Sequence, residues 1–321
     1  MLNNLNKYFS LFLFTSLVFS THAFGQTDPK SWIIQKMEIH SPNSIYLLRA
    51  YDRLPRTLSI QRGGSTMSTT RSTDAFYYLQ TGSRESALSS MGINVHEIGH
   101  GYGGVLHFDE LMRCNCDQSI SFSDIQKGFY QTPQEQFWIE IESDYIFPSA
   151  QLRNTIPSNL ITFRFQTYIT GNSSTQKHGV IGLLDEMNAY YLGSQYKFDM
   201  FPVYKELYAE NYLNQWVQNS SSEMTAFFEF DFFIKEYLLF AKQNNPATYQ
   251  YLKNNLGFRN SYKKIYDKYN RLVLQYEAKV ESEKGRAKLY YNTPFWRDDY
   301  FRLRDRLNSG MYSVIESDFF Y

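Results

Sequence analysis

Residues 83–104 read SRESALSSMGINVHEIGHGYGG, and the five residues from His96 to His100 decide how the rest of the chain is interpreted. On an α-helix, residues four apart lie nearly above one another, so His96 and His100 can offer two imidazole nitrogens to one metal ion. Glu97 is displaced by about 100° around the helix from His96, which places its carboxylate beside the metal. This spacing is typical of a zinc site with a general base.

The residues around the two histidines have the apolar periodicity of a packed helix, which predicts that one helix face is anchored in a core. The apolar residues with this spacing are Leu88, Met91, Val95 and Ile98. Ser83 has the side chain of an N-cap residue. The glycines of Gly101-Tyr-Gly-Gly104 predict that the helix ends there in a left-handed turn.

The sequence His-Glu-x-x-His on a helix resembles the zincin metallopeptidases. The resemblance implies an α+β fold with two lobes, in which a small N-terminal mixed sheet and the active-site helix precede a mostly helical C-terminal lobe. It also implies a peptide or protein substrate and a catalytic Zn²⁺ ion held by His96 and His100. A zinc-activated water attacks the peptide carbonyl in this chemistry, with Glu97 as the general base.

A catalytic zinc ion needs a third protein ligand and one open position for water. Glu186 lies in the apolar run 179–192, GVIGLLDEMNAYYL, where two adjacent carboxylates are costly to bury unless a cation or strong donors meet them. This run resembles the downstream glutamate helix of gluzincins, a zincin group. Gluzincins often have an acid four residues after the ligand, whereas Tyr190 stands there, so Asp185 or Asn188 is expected to orient a metal-bound histidine.

His107 is the alternative third ligand. Metzincins, another zincin group, continue the motif as His-Glu-x-x-His-x-x-Gly-x-x-His, and Gly103 occupies the glycine position. Leu106 stands where the third histidine is expected, and His107 comes one residue later, so Gly104 would have to absorb the slip as a bulge. Asp109 and Glu110 are further alternatives. We favour Glu186.

A donor that stabilises the oxyanion is also expected. His178 is the first candidate, because it lies eight residues before Glu186 and the loop that enters the ligand helix can bring it near the metal. Tyr190 is the second candidate, and the neighbouring Tyr191 is the third.

The first 25 residues have the pattern of a cleaved secretory signal, with an apolar segment at 9–19 and small residues at Ala23 and Gly25. No later apolar run is long enough to span a membrane. We therefore expect a secreted or periplasmic protein, and the short signal together with the near absence of cysteine favours a bacterial source. We interpret Cys114 and Cys116 as a pair that closes, at most, a small local loop through a disulfide.

The formal net charge is zero and basic runs are absent, which argues against nucleic acid as a partner. The 27 tyrosines and 26 phenylalanines indicate an aromatic-rich core or an aromatic surface for peptide or glycan. An exported zincin-fold protein that binds such a chain without turnover is the alternative function, and hydrolysis of another amide is a third. Glu97 favours an enzyme, because zinc binding needs the ligands but not the base.

Beyond the signal, the sequence is divided into an α+β lobe at 26–178 and a helical lobe at 179–321. Turn residues and alternation predict strands in the first lobe at 31–40, 45–50, 57–61, 137–142 and 160–169. Apolar periodicity predicts helices in the second lobe at 179–192, 202–218, 223–243, 246–255 and 261–283. The aromatic segment 284–321 is predicted to pack back across the body.

Overall fold

The computed structural model describes residues 27–62, 65–71, 73–114, 125–171, 173–284 and 297–321. These residues form an α+β fold in which long helices predominate and two short antiparallel hairpins provide the strands. The helices are α1 (Pro29–His40), α2 (Pro42–Arg53), α3 (Arg84–Cys114), α4 (Ser174–Lys177), α5 (Gly179–Asp199), α6 (Phe201–Tyr208), α7 (Tyr212–Asn244), α8 (Pro246–Asn254), α9 (Leu256–Lys284), α10 (Asp298–Leu307) and α11 (Ser313–Phe320). The strands are β1 (Thr57–Arg62), β2 (Ser65–Thr70), β3 (Ile125–Thr132) and β4 (Glu135–Ile141).

The strands predicted at 31–40 and 45–50 are wrong, because both segments are helical. Asp28 caps α1 by accepting hydrogen bonds from the backbone N–H groups of Lys30 and Ser31. Pro29 and Pro42 each occupy the start of a helix, where a missing N–H group has no consequence. The prolines therefore mark helix N-termini here rather than turns between strands.

The hairpin of β1 and β2 confirms the strand predicted at 57–61. It is a two-stranded ribbon, and Leu58 packs with Val105 and Phe108 on the distal part of α3. The sheet predicted before the motif helix is therefore reduced, within the described ranges, to this ribbon.

The motif helix α3 begins where it was predicted, because the Ser83 hydroxyl accepts a hydrogen bond of 3.1 Å from the backbone N–H of Ser86. Its predicted end is wrong, since the helix continues through the glycines to Cys114. A Cβ atom on Gly103 would lie 2.4 Å from the carbonyl oxygen of Gly128 in β3. Gly103 therefore allows a strand to cross closely over the helix, and does not end it.

Strand β4 agrees with the strand predicted at 137–142, whereas its partner β3 was not predicted. The strand predicted at 160–169 is wrong, because the chain forms a 3-10 turn at Ser158–Leu160 and a short π-helical turn at Gln166–Thr170. Between these turns, Thr162 and Arg164 bond to Glu229 of α7. Side-chain contacts with a helix thus take the place of a strand ladder.

Helices α5 to α9 confirm the helical pattern predicted for the second half, with different boundaries. The helix predicted at 202–218 is interrupted at Ala209, which has a φ of 44°, so its first part lies in α6 and its second part begins α7. The helix predicted at 223–243 lies entirely within α7.

The terminal helices α10 and α11 pack on α7 and α9, so the end of the chain does return to the body. One cluster of buried hydrophobic residues extends from Trp32 to Phe319, through both predicted lobes. The division at 178 stays a prediction.

The signal predicted at residues 1–25 lies outside the described residues. Cys116 and the side chain of Cys114 also lie outside them. Within the described ranges, the helices lack the combination of length and apolar character that a membrane crossing requires.

Candidate metal centre

Helices α3 and α5 approach each other closely and bring the two parts of the candidate site together. A Cβ atom on Gly193 would lie 3.0 Å from the carbonyl oxygen of Gly92, so the two backbones touch at a pair of glycines. Close contact at this point places the histidines of α3 opposite the carboxylates of α5.

Three potential ligand atoms converge at this crossing. The Nε2 atoms of His96 and His100 are 3.2 Å apart, and Oε2 of Glu186 lies 3.8 Å from the first and 3.4 Å from the second. Ligand atoms at the usual bond lengths of a tetrahedral zinc ion are separated by about 3.3 Å. The two histidines and Glu186 therefore have a spacing that fits a zinc ion.

The hydrogen bonding of Glu186 provides an independent test of the fit. Its side chain is buried, with 8% exposure, and Oε1 accepts a hydrogen bond of 3.0 Å from the hydroxyl of Thr175. Oε2 is buried and faces both histidines, and it lacks a hydrogen bond of good geometry among the described residues, with Nε2 of His100 at 3.4 Å. An unpaired buried carboxylate oxygen is costly, and a cation would offset that cost.

Asp185 takes the orienting role for which it and Asn188 were the candidates. Its Oδ2 atom lies 2.9 Å from Nδ1 of His100, which leaves Nε2 of that ring directed towards Glu186. Lys127 of β3 lies 2.9 Å from the same Asp185 oxygen and donates a hydrogen bond of 3.3 Å to the carbonyl of His100. Asn188 instead donates to the carbonyl of Tyr130.

The two histidines differ in their proton affinity. Burial, together with the charge of His100, lowers the pKa of His96 to about 3, which leaves that ring neutral and able to bind a metal. Burial opposes a charge on His100, but Asp185 and Glu186 outweigh it and raise the pKa of this ring to about 10. The carboxylates that favour a proton on His100 also favour a metal cation beside it.

Glu97 lies one residue after His96 on α3 and is partly exposed. Burial raises the pKa of Glu97, with His100 opposing the shift and Glu186 adding to it. A carboxylate with a raised pKa is a stronger base than an ordinary one, which suits proton transfer near neutral pH. The arrangement thus places an accessible base next to three potential metal ligands.

Tyr190, the second candidate for the oxyanion donor, contacts the site. Its ring lies edge to face with that of His96, with 4.5 Å between the centroids, and its hydroxyl is 3.3 Å from that of Tyr168. The guanidinium of Arg164 lies 4.4 Å from the centroid of the Tyr190 ring. Tyr190 therefore packs against the ring of His96, and Arg164 and Tyr168 in turn contact Tyr190.

The other two donor candidates are placed differently. His178 immediately precedes α5, and its electrostatic neighbours are Lys127 and Asp185, on the Asp185 side of the site. Loss of hydration and the charge of Lys127 lower the pKa of His178. Tyr191 is 6% exposed and packs against the ring of Tyr269, so it belongs to the core.

The alternative third ligands lie farther along α3. Because the helix continues past Gly104 without a bulge, the backbone of His107 is two turns, or about 10 Å, beyond that of His100. The side chains of His107, Asp109 and Glu110 lie outside the described part of the structure. Among the described residues, the group of potential metal ligands consists of His96, His100 and Glu186.

Sequence reasoning missed three residues around the site, namely Lys127, Arg164 and Tyr168. Lys127 lies in a strand that was not predicted, and the other two lie in a segment that was predicted as a strand. The spacing of these residues carries no signal, because each reaches the site through long-range packing.

Comparisons of the chain with protein-family models, with curated proteins and with solved structures gave no match.

Proposed function

We propose that this chain is a zinc-dependent metallopeptidase of the gluzincin-like zincin type. His96, His100 and Glu186 would hold the zinc ion, and Glu97 is the general base. The observation that carries the proposal is the convergence of three ligand atoms, in which the buried Oε2 atom of Glu186 faces the Nε2 atoms of both histidines and lacks a hydrogen bond of good geometry among the described residues. A purely structural carboxylate at 8% exposure would be expected to have donors on both oxygens.

When bound, the zinc ion supplies Lewis acidity, which lowers the pKa of a water towards about 7 and polarises a carbonyl group. Glu97 accepts a proton from the attacking water at its carboxylate and then delivers that proton to the leaving amine. Asp185 holds Nδ1 of His100 at 2.9 Å and so fixes the orientation of that ring. The edge of Tyr190 restrains the ring of His96.

The proposal extends to the zincin-like arrangement of two lobes and to the place of action. A peptide or protein substrate would lie across α3, between the N-terminal segment and the helices that follow residue 178. The signal-like sequence of residues 1–25 supports export to the periplasm or the exterior. The partly exposed Glu97 supports an enzyme over an exported zincin-fold protein that only binds peptide or glycan.

The test is elemental analysis and zinc titration of the purified protein, followed by cleavage of a mixed synthetic peptide library. We expect about one zinc ion per wild-type chain, because three ligands converge. Glu186→Ala should weaken zinc binding by more than the roughly 10–100-fold that follows loss of an orienting partner. Glu97→Gln should keep the zinc ion and lower turnover by about 10²–10⁴-fold.

Glu210→Ala is the matched control, since Glu210 is an exposed glutamate on a different segment. It should change neither zinc content nor turnover. A folded wild-type protein that binds no zinc would refute the metal site. A zinc-loaded protein in which Glu97→Gln leaves peptide cleavage unchanged would refute Glu97 as the base.

A further inference from the structure

Two exposed tyrosines lie beside the helix that carries Glu97. Tyr77 is 68% exposed and Tyr78 is 37% exposed, and their rings meet edge to face with 5.1 Å between the centroids. Large aromatic rings that remain this open to solvent are candidates for contact with a ligand.

The segment that carries the two tyrosines is tied to α3 by polar side chains. The backbone N–H of Tyr78 donates to Oδ1 of Asn94 at 3.1 Å, and Nδ2 of Asn94 donates to the carbonyl of Ala75 at 2.7 Å. Two residues farther on, the N–H of Gln80 donates to the hydroxyl of Ser90 at 2.9 Å. Asn94 is fully buried, so these bonds hold the tyrosines against the helix at a fixed position.

The face of α3 below the tyrosines is the face of Glu97. Ile93, Glu97 and Gly101 are four residues apart and therefore line one stripe of the helix. Ile93 is 53% exposed at one end of this stripe, and the ring of Tyr51 packs on Gly101 at the other. Tyr78 lies near this stripe, because its backbone N–H is bonded to Asn94, which precedes Glu97 by three residues on the helix.

We propose that Tyr77, Tyr78 and Ile93, called the Glu97 shelf, bind a large apolar side chain of an extended peptide substrate, adjacent to the bond that is cleaved. The inference rests on the proposed peptidase function and names its substrate class. The shelf offers two exposed aromatic rings, on a segment bonded to Asn94, and the exposed side chain of Ile93, which lies about one helical turn before the proposed base.

The chemistry of the shelf favours an apolar side chain over a sugar ring. Sugar binding combines aromatic faces with polar side chains that bond the hydroxyl groups. The amide of Asn94 is buried, and both of its polar atoms are already bonded to the backbone of the tyrosine segment. Tyr77 and Tyr78 also meet edge to face, and the side chain of Ile93, the residue before Asn94, has no polar atom to offer.

The test uses the zinc-loaded full chain and a library of synthetic 14-residue peptides, with cleavage positions read by mass spectrometry. We expect Phe, Tyr, Leu, Ile and Met to be enriched at one position next to the cleaved bond. Two peptides that differ only by Leu or Ala at that position should differ in kcat/KM by about 10–100-fold. The Tyr77→Ala/Tyr78→Ala variant should reduce this ratio to within a few-fold of unity, and Ile93→Ala should reduce it partially.

Two exposed residues of the same types provide matched controls. Tyr321 is 93% exposed at the end of the chain and Ile39 is 70% exposed on α1, so Tyr321→Ala and Ile39→Ala should leave the Leu/Ala ratio unchanged. Binding of the same two peptides to zinc-loaded Glu97→Gln, with and without the two tyrosine substitutions, gives a measurement that needs no turnover.

The outcomes separate the shelf from the proposed function. Cleavage with a Leu/Ala ratio that the tyrosine substitutions do not change would overturn the shelf and leave the peptidase standing. Shelf-dependent peptide binding without cleavage by the wild-type chain would uphold the shelf and overturn the peptidase. Absence of both would overturn both. Binding of a chitin hexasaccharide that depends on the tyrosines, without peptide binding, would overturn the shelf as a peptide site.

Discussion

Glu186 and Glu229 are both buried glutamates on long helices, and their hydrogen bonding differs. Glu229 is completely buried on α7, and its Oε1 accepts from the hydroxyl of Thr162 and the backbone N–H of Arg164. Its Oε2 pairs with the Arg164 guanidinium at 2.6 Å. Glu186 on α5 has one donor, Thr175, on Oε1, and its Oε2 lacks a hydrogen bond of good geometry among the described residues.

The difference distinguishes a structural carboxylate from a candidate ligand. The charge of Glu229 is neutralised within the protein by Arg164, so the pair is complete without any further group. Glu186 instead faces two imidazole nitrogens, of which that of His96 is uncharged and that of His100 already shares its charge with Asp185, and both nitrogens can act as electron donors to a metal. Burial alone therefore does not distinguish a candidate metal ligand, whereas an oxygen without a good hydrogen bond among other potential ligand atoms supports the proposal.

The largest expected effect is on stability, and it concerns Glu229. Glu229→Gln places an amide N–H₂ group against the Arg164 guanidinium and leaves a buried positive charge without its partner. We expect the free energy of unfolding to fall by about 3–5 kcal/mol. Urea-induced unfolding, followed by circular dichroism, measures the change.

Glu186→Gln is the matched control for this prediction. In zinc-free protein it removes one of the two carboxylates beside His100, while Asp185 keeps its contact of 2.9 Å with that ring, so the free energy of unfolding should fall by less than for Glu229→Gln. Zinc affinity should instead fall sharply. If the two substitutions destabilise zinc-free protein equally, the distinction between the two glutamates is wrong.

A smaller effect is expected one contact away from the metal ligands. Asp185→Asn removes the charge that pairs with both His100 and Lys127, and zinc affinity should fall by about 10–100-fold. Competition with a zinc chelator of known affinity measures it. Asn188→Ala, on the same helix, should leave zinc affinity unchanged, because Asn188 bonds to the carbonyl of Tyr130. Equal losses in the two variants would argue against an orienting role for Asp185.

The smallest expected effect concerns Asp199, a partly buried carboxylate that has two donors but no cationic partner among the described residues. It accepts hydrogen bonds from the side chains of Ser41 and Gln195, yet burial raises the pKa of Asp199 to about 6. Because the folded pKa lies above the unfolded value, the protonated form stabilises the fold below about pH 4. That contribution is lost as the pH rises through about 6.

Asp199→Asn should therefore match wild type at about pH 4 and exceed its unfolding free energy by about 1–2 kcal/mol at pH 8. The two proteins are compared by urea unfolding at both pH values. A difference that does not depend on pH would show that folding leaves the pKa of Asp199 unchanged.

Local patterns allowed part of the candidate site to be predicted. The four-residue spacing of His96 and His100 and the adjacent Glu97 depend only on helix geometry, and α3 carries them as predicted. Glu186 was found because a carboxylate in an apolar helix needs a partner. Those arguments concern single helices and the cost of burial, both of which can be evaluated from sequence.

Other features had ambiguous local signals. Gly103 resembles a helix end in sequence, but it lies inside α3 and accommodates a crossing strand. The residues before Pro42 alternate in a way that resembles a strand, but the chain there is helical. Glycine and proline each suit two structures, and the packing partner decides between them.

By itself, the sequence determined that two histidines and a glutamate would share a helix, and that a second helix would bury a carboxylate pair. Only the tertiary structure decided that the two helices cross so that Glu186 faces both histidines, and that Asp185 orients one of them. It also decided that Tyr78 lies over the face of Glu97. Helical spacing follows from backbone geometry, whereas these contacts depend on long-range packing between elements.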